Sequence, residues 1–290
     1  MAPGLPDGNN VRMIRALAVL CSAVLVGGLA ACGSEPEQKP LPSAIVMHVD
    51  QSRLERKTRH VFVRVENDTK VRLTIAGFTL TSPRFDRVMW KGDESIAPGL
   101  QTDLEFTMPP TRCGKDLGAT VKLTYRYGDS GERVSAGKAD DPYEAIGLLM
   151  DRDCARNTLA EAADLRVGTP TVVGVGATSV LHLPVTLTPT GKRSDLRFGG
   201  FESTPLFRQG DDSPVNVDQP ISSTEPTHLV MEVVPARCDP HALAEDKVGR
   251  LFGMVVLAPG LPKDSSFYLP LDEAQREAFY SYFHIRCGHD

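Results

Sequence analysis

The sequence predicts an all-β fold: two tandem antiparallel β-sandwiches, each carrying one disulfide and a short helix before its last strand. Three observations carry that expectation. Apolar residues recur at alternate positions in many short runs, a set of landmarks occurs twice in the same order, and four cysteines fall in equivalent places in the two copies. Alternation with period two marks a half-buried strand, because successive side chains point to opposite faces of a sheet.

At the N-terminal end, Arg12 and Arg15 form a short basic region and residues 16–31 are uncharged. That layout is a secretory signal, predicted here over residues 1–31. The uncharged run falls short of the roughly 20 residues that cross a bilayer as a helix, and small residues close it. It ends in Leu29-Ala30-Ala31-Cys32. These residues resemble the bacterial lipobox: an aliphatic residue, two small ones and a cysteine. The resemblance covers only those four positions. It implies cleavage after Ala31, a diacylglyceryl group on the Cys32 sulfur, and a mature chain held by its lipid on the extracytoplasmic face of the cell membrane. Two or more acyl chains, at ~0.8 kcal/mol per buried methylene, anchor stably where one chain is marginal. Residues 32–42, polar and proline-rich, read as the lipidated cysteine and a flexible tether.

Residues 43–155 form the first predicted copy. Val61, Val63 and Val65 alternate with Phe62, Arg64 and Glu66, Leu104, Phe106 and Met108 with Glu105 and Thr107, and Val121, Leu123, Tyr125 and Tyr127 with Lys122, Thr124 and Arg126. Clusters such as Gly128-Asp129-Ser130-Gly131 separate the runs and supply turns. Asp141-Pro142-Tyr143-Glu144 has the composition of a helix N-terminus: a capping aspartate, a proline at the first helical position and a glutamate able to close a capping box.

Residues 164–290 form the second copy, and a boundary is expected near residues 156–163. Leu181, Leu183, Val185 and Leu187 alternate in the same way. The duplication rests on three landmarks. Leu104 to Cys113 and Leu229 to Cys238 align without a gap and both end Pro-x-Arg-Cys. Glu144-Ala145 and Glu277-Ala278 each begin ten residues before a cysteine, Cys154 and Cys287. Gly77-Phe78 with Ser82-Pro83-Arg84-Phe85 resembles Gly200-Phe201 with Thr204-Pro205-Leu206-Phe207. Asp272-Glu273-Ala274-Gln275 offers a second capping sequence. About seven short strands per copy, with turns between them, point by architectural analogy to immunoglobulin-like sandwiches. The Cys…Trp…Cys pattern of antibody domains is missing, since the single tryptophan, Trp90, lies outside both cysteine pairs.

Of six cysteines, Cys21 lies in the signal and Cys32 is the lipidation site, leaving Cys113, Cys154, Cys238 and Cys287 in an oxidising compartment. The repeat selects Cys113 with Cys154 and Cys238 with Cys287. Each pair closes a loop worth about 4 kcal/mol on the chain-entropy model. A redox dithiol would want Cys-x-x-Cys spacing, which is absent.

A net charge of −5 without runs of like charge gives no ground for nucleic-acid binding. Of seven histidines, His284 and His289 come nearest to metal-ligand spacing, and surface roles are expected for all. The acidic pairs Asp140-Asp141 and Asp211-Asp212 read as solvated turns. No nucleophile elbow, phosphate loop or calcium loop stands in its required context. No catalytic residue, metal or cofactor is therefore assigned. Tyr268, Tyr280 and Tyr282, in an aromatic-rich stretch read as strand, form the candidate recognition surface. The long polar loop over residues 209–227 is a second candidate. The expected function is that of a membrane-anchored surface lipoprotein, a non-catalytic module that binds or assembles with an unidentified surface protein or ligand. An enzyme with a dispersed site and a solute-binding lipoprotein of a transporter are the alternatives. The latter fits poorly with a chain that leaves little room for long helices.

Overall fold

A computed structural model describes residues 39–288, apart from 117, 212, 214–216, 240, 242 and 244–247. The signal, Cys32, the first part of the tether, Asp212 and His289 lie outside the described residues. Gln38–Asp290 form one compact unit with two hydrophobic cores, each the centre of one lobe. The chain is mostly β, with 44% of it in strands and 17% in helix, which is more helix than two short turns would supply.

The first lobe holds β1 (Ile45–Asp50), β2 (His60–Asn67), β3 (Leu73–Ser82), β4 (Phe85–Ile96), β5 (Gln101–Thr107), β6 (Thr120–Tyr127) and β7 (Arg133–Lys138). All pairings between these strands are antiparallel, giving one sheet ordered β1-β2-β5 and another ordered β4-β3-β6-β7. The alternating residues behave as expected. Val61, Val63 and Val65 from one sheet and Ile75, Leu80, Val121 and Leu123 from the other are buried in a common core.

The second lobe holds β8 (Ala163–Val167), β9 (Thr171–Val173), β10 (Val180–Pro189), β11 (Arg197–Phe201), β12 (Phe207–Gln209), β13 (Gln219–Pro220), β14 (Thr227–Pro235), β15 (Gly253–Leu257) and β16 (Ser266–Tyr268). Its sheets run β12-β14-β10-β8, with β9 also on β10, and β13-β11-β15-β16.

The repeated landmarks occupy matching positions. Val63 pairs with Leu104 across β2 and β5, and Val185 pairs with Leu229 across β10 and β14. Gly77 and Gly200 each stand at a register shift, in β3 and β11. A Cβ on Gly77 would lie 2.8 Å from the Trp90 carbonyl oxygen, and Gly200 has φ +113°, so neither place suits a side chain. Phe85 bridges Thr111 and Phe207 pairs with Pro235, each just before the first cysteine of its copy.

Both disulfides form as predicted, Cys113–Cys154 and Cys238–Cys287, with Cα–Cα distances of 5.6 and 5.3 Å. The helices correct the expectation. α1 (Ala145–Ala162) and α2 (Glu273–Cys287) follow the last strand of their lobes and run for 18 and 15 residues. The sequence of α2 alternates just well enough to pass for strand. However, its buried residues Phe279, Tyr282 and Phe283 fall at helical spacing, and Ile146, Leu149 and Met150 of α1 stand at the same offsets from their cysteine.

Residues 156–163, read above as a boundary, are the last turns of α1 and the first residue of β8. Ile146, Leu149 and Met150 belong to the first core, whereas Ala155, Leu159 and Ala162 belong to the second. Residues 39–42 of the expected tether are part of the folded body. Lys39 bridges Ser135 of β7, and its carbonyl accepts from the Ala136 amide at 3.1 Å.

Candidate ligand cleft between the lobes

Three segments enclose a cleft of about 700 Å³ where the lobes meet. The first is the turn after β1. Ser52 caps a single 3₁₀ turn, Arg53–Glu55, accepting from the Leu54 amide at 3.3 Å. Buried Gln51 shapes the rest. Its amide nitrogen donates to the carbonyls of Glu55, Thr58 and His60 at 3.0, 3.2 and 3.2 Å, which folds the turn around one side chain. This presents Leu54, Arg56, Lys57 and Thr58 to the cleft.

The second wall is one face of α1. Leu149, Arg152, Asp153, Arg156, Leu159 and Ala160 recur at three- and four-residue spacing and all line the cleft. Asp141 starts this helix by accepting from the amides of Ala145 at 2.6 Å and Ile146 at 3.1 Å. Burial nonetheless holds its carboxyl above the usual value, outweighing those amides. Glu144, expected to close a capping box, sits instead in the left-handed region at φ 55°.

The third wall comes from the second lobe: Arg250, Leu251 and the stretch from Phe267 to Leu271, followed by Arg276 on α2. Asp272 and Gln275 form the capping box at the start of α2, with bonds of 2.7 and 2.8 Å.

Seven basic side chains and two acidic ones line the cleft. Asp153 is the anchor of one group. It accepts from Arg59, from Arg156 at 2.8 Å and from the Thr111 hydroxyl at 2.7 Å, and Arg59 also donates to the Met108 carbonyl at 2.7 Å. Arg276 is bound to Glu273 at 2.9 Å, and its cation lowers that exposed carboxyl's pKa, with smaller help from Arg250 and Lys57. Arg250 stacks on Tyr280 at 3.7 Å.

Arg152 differs from these. It lies 5.0 Å over the Tyr268 ring, donates to the Gln51 side-chain oxygen at 3.2 Å and reaches the Tyr268 hydroxyl at 3.5 Å. No carboxylate pairs with it among the described residues. Burial pushes its pKa down from the usual arginine value, and the nearby Arg56 cation adds to that.

The predicted site residues divide. Tyr268 is half-buried and lines the cleft, and Tyr280 is half-buried beneath Arg250. Tyr282 is a correction: it is fully buried in the second core and donates to the Ser179 carbonyl at 2.8 Å. Phe279 and Phe283 are buried with it, because this stretch is helix. Part of the 209–227 loop forms β13 on the edge of β11. His182 faces Glu232 across the strands at 3.6 Å, and no cluster of three metal-ligating side chains occurs among the described residues.

Sequence reasoning missed Gln51, Arg56, Arg152 and Asp153. The usable signal was the charge-dense run Asp151-Arg152-Asp153-Cys154-Ala155-Arg156, which has no counterpart at His284-Ile285-Arg286-Cys287. The polar network belongs to one copy alone: Arg84, paired to Asp151 at 2.9 Å, stands where the second copy has buried Leu206.

No protein-family model and no curated protein matches the chain. Among solved structures it is similar to red sea bream transglutaminase at 10% identity and TM-score 0.24, over 80% of this chain and 32% of that one. It is also similar to the exo-chitosanase CsxA of Amycolatopsis orientalis at 15% identity and TM-score 0.20, over 78% of this chain and 26% of that one. The BSP domain of a biofilm-associated protein gives 8% identity and TM-score 0.20, over 83% and 60%. The chain thus spans about a third or less of the first two, and likenesses this weak carry no argument about activity.

Proposed function

We propose that the protein is a lipid-anchored, non-catalytic binding module that takes its ligand in the cleft between its lobes. The observation that carries this reading is the cleft itself. It is walled by elements of both lobes, and its volume lies in the ~300–1,000 Å³ range of small-molecule sites.

We read each lobe as an immunoglobulin-like sandwich, extended by a C-terminal helix that the disulfide clips to the exit of the fifth or the corresponding strand. Support comes from the order β1-β2-β5 against β4-β3-β6-β7 and its parallel in the second lobe. Anchoring rests on the lipobox resemblance at Cys32. Seven residue steps separate Cys32 from Lys39, at most about 25 Å of extended chain. An anchored body would therefore work close to the bilayer surface.

Intact mass spectrometry of protein purified from membranes tests the anchor, and a diacyl mass on an N-terminal Cys32 is expected. Crosslinking on intact cells tests the module: a saturable adduct through cleft residues is expected. A hydrolase active-site probe that labels the protein, with labelling lost on substitution of one residue, would replace this reading with an enzymatic one.

A further inference from the structure

Arg152 sets the chemistry of the cleft. It is a half-buried guanidinium whose stacking and hydrogen-bond contacts, Gln51 and Tyr268, are both uncharged. Burying a charge is expensive unless an opposite charge or strong hydrogen bonds answer it. The other buried charge in the cleft, Asp153, already has two arginines and a threonine. Arg56 lies near enough to Arg152 to repel it; Asp153 and Glu202 attract it from a distance, but neither forms an ion pair with it among the described residues. A fold that holds two cations together beside an open cavity is prepared for an anion.

Beside its charged groups the lining carries an apolar part. Leu54 is 59% exposed, Leu165 and Leu251 are half-buried, and Pro270 is exposed. A small inorganic anion would use the cations and leave this surface unmatched.

We propose that the cleft binds an anionic single-chain amphiphile from the membrane, its head group on Arg152 and Arg56 and its acyl chain against Leu54, Leu165 and Leu251. A guanidinium suits a phosphate or carboxylate head because it can donate two parallel hydrogen bonds. A cavity of about 700 Å³ is the size of one small-molecule site, so one chain is assigned rather than two. The membrane is the assigned source because the chain between Cys32 and Lys39 reaches at most about 25 Å. The inference rests on the binding-module reading and names the ligand class for the same cleft.

The test is isothermal titration calorimetry on residues 33–290, which include the whole compact unit, both cores and both disulfides. Dodecyl phosphate, kept below its micelle threshold, is compared with dodecylphosphocholine and inorganic phosphate. Dodecyl phosphate is expected to bind at one site, at least ten-fold more tightly than either comparator. Arg152→Gln should weaken it about ten-fold or more, the size of a lost charge-assisted bond. Arg56→Gln, at an exposed position, should weaken it several-fold and serves if Arg152→Gln fails to fold. Equal binding of dodecylphosphocholine, unchanged affinity in both variants, or no binding of dodecyl phosphate would each overturn the proposal. Inorganic phosphate binding as tightly as dodecyl phosphate would overturn it too, by making the cleft a site for free anions. A saturable crosslinked partner at the cleft together with no dodecyl phosphate binding would sink this inference and leave the module reading standing.

Discussion

Asp153→Ala should be the most damaging single substitution near the cleft, and its cost can be worked from its three partners. The carboxylate side chain is 8% exposed and accepts from Arg59, Arg156 and Thr111. Arg156 is 60% exposed, so its share is under about 1 kcal/mol. The Thr111 hydroxyl gives a charge-assisted bond worth roughly 1.5 kcal/mol. Arg59 is 27% exposed, and breaking a buried pair costs about 3–5 kcal/mol because one charge is stranded. Arg59 keeps its bonds to the Met108 and Pro109 carbonyls, which places its share below that range. The total is about 4 kcal/mol, and for a chain of this size that lowers the melting temperature by roughly 10 °C. Trp90, the single tryptophan, stacks on Phe78 in the first lobe, so its fluorescence reports that lobe while far-ultraviolet circular dichroism reports both. Arg156→Ala is the control and should move the midpoint by no more than about 3 °C. If Asp153→Ala shifts it no further than the control does, the carboxylate is not the anchor described.

Three further outcomes follow from the same geometry. Replacing Cys113 and Cys154 together by serine should cost about 4 kcal/mol, and the Cys238–Cys287 pair a similar amount, read as a fall in urea midpoint with a steeper slope, because the unlinked denatured chain exposes more surface. Tyr282→Phe should cost about 1 kcal/mol for the lost bond to Ser179, whereas Tyr282→Ala should cost several times more through the cavity it opens; thermal melts separate the two. Because burial raises the carboxyl of Asp141 above its usual 3.8, the folded state binds its proton more tightly than the unfolded chain does. Its contribution is therefore present at pH below 3.8 and is lost as pH rises through the raised folded value. Asp141→Asn should flatten stability across that acidic window, and an unchanged slope in urea titrations there would refute the assignment.

The strands were legible because their alternation is a local signal. Val61 to Val65, Val121 to Tyr127 and Leu181 to Leu187 each declare one buried face. The pairing of the cysteines was legible because the chain repeats itself, and the second copy supplied the comparison that spacing alone lacks. The helices were misplaced for a physical reason. Over five residues, Phe279 to Phe283, periods of 2 and 3.6 both fit, and only burial shows that Tyr282 faces inward with Phe279. The capping sequence at Asp272 was read correctly as a helix start; that at Asp141 marked the right neighbourhood, but the helix begins at Ala145 with Glu144 as its N-cap, and the length of both helices was missed because helix ends carry weaker marks. The cleft was hidden more deeply. Gln51 and Arg152 are 101 residues apart, and nothing in either neighbourhood announces the other.

The unbroken course of α1 bears on what the duplicated sequence now is. A repeat joined by a loop could be excised, shuffled or opened like a hinge. Here the same rod ends one lobe and begins the other, passing from Ile146 in the first core to Ala162 in the second. A cut at residue 155 would break α1, leaving Ile146, Leu149 and Met150 of the first core and Leu159 and Ala162 of the second each on a short stub of helix. Because one helix contributes to both cores, the two lobes should melt together. Fluorescence of Trp90 and circular dichroism should lose their structure at one temperature, and the cleft between the lobes should keep its width until they do.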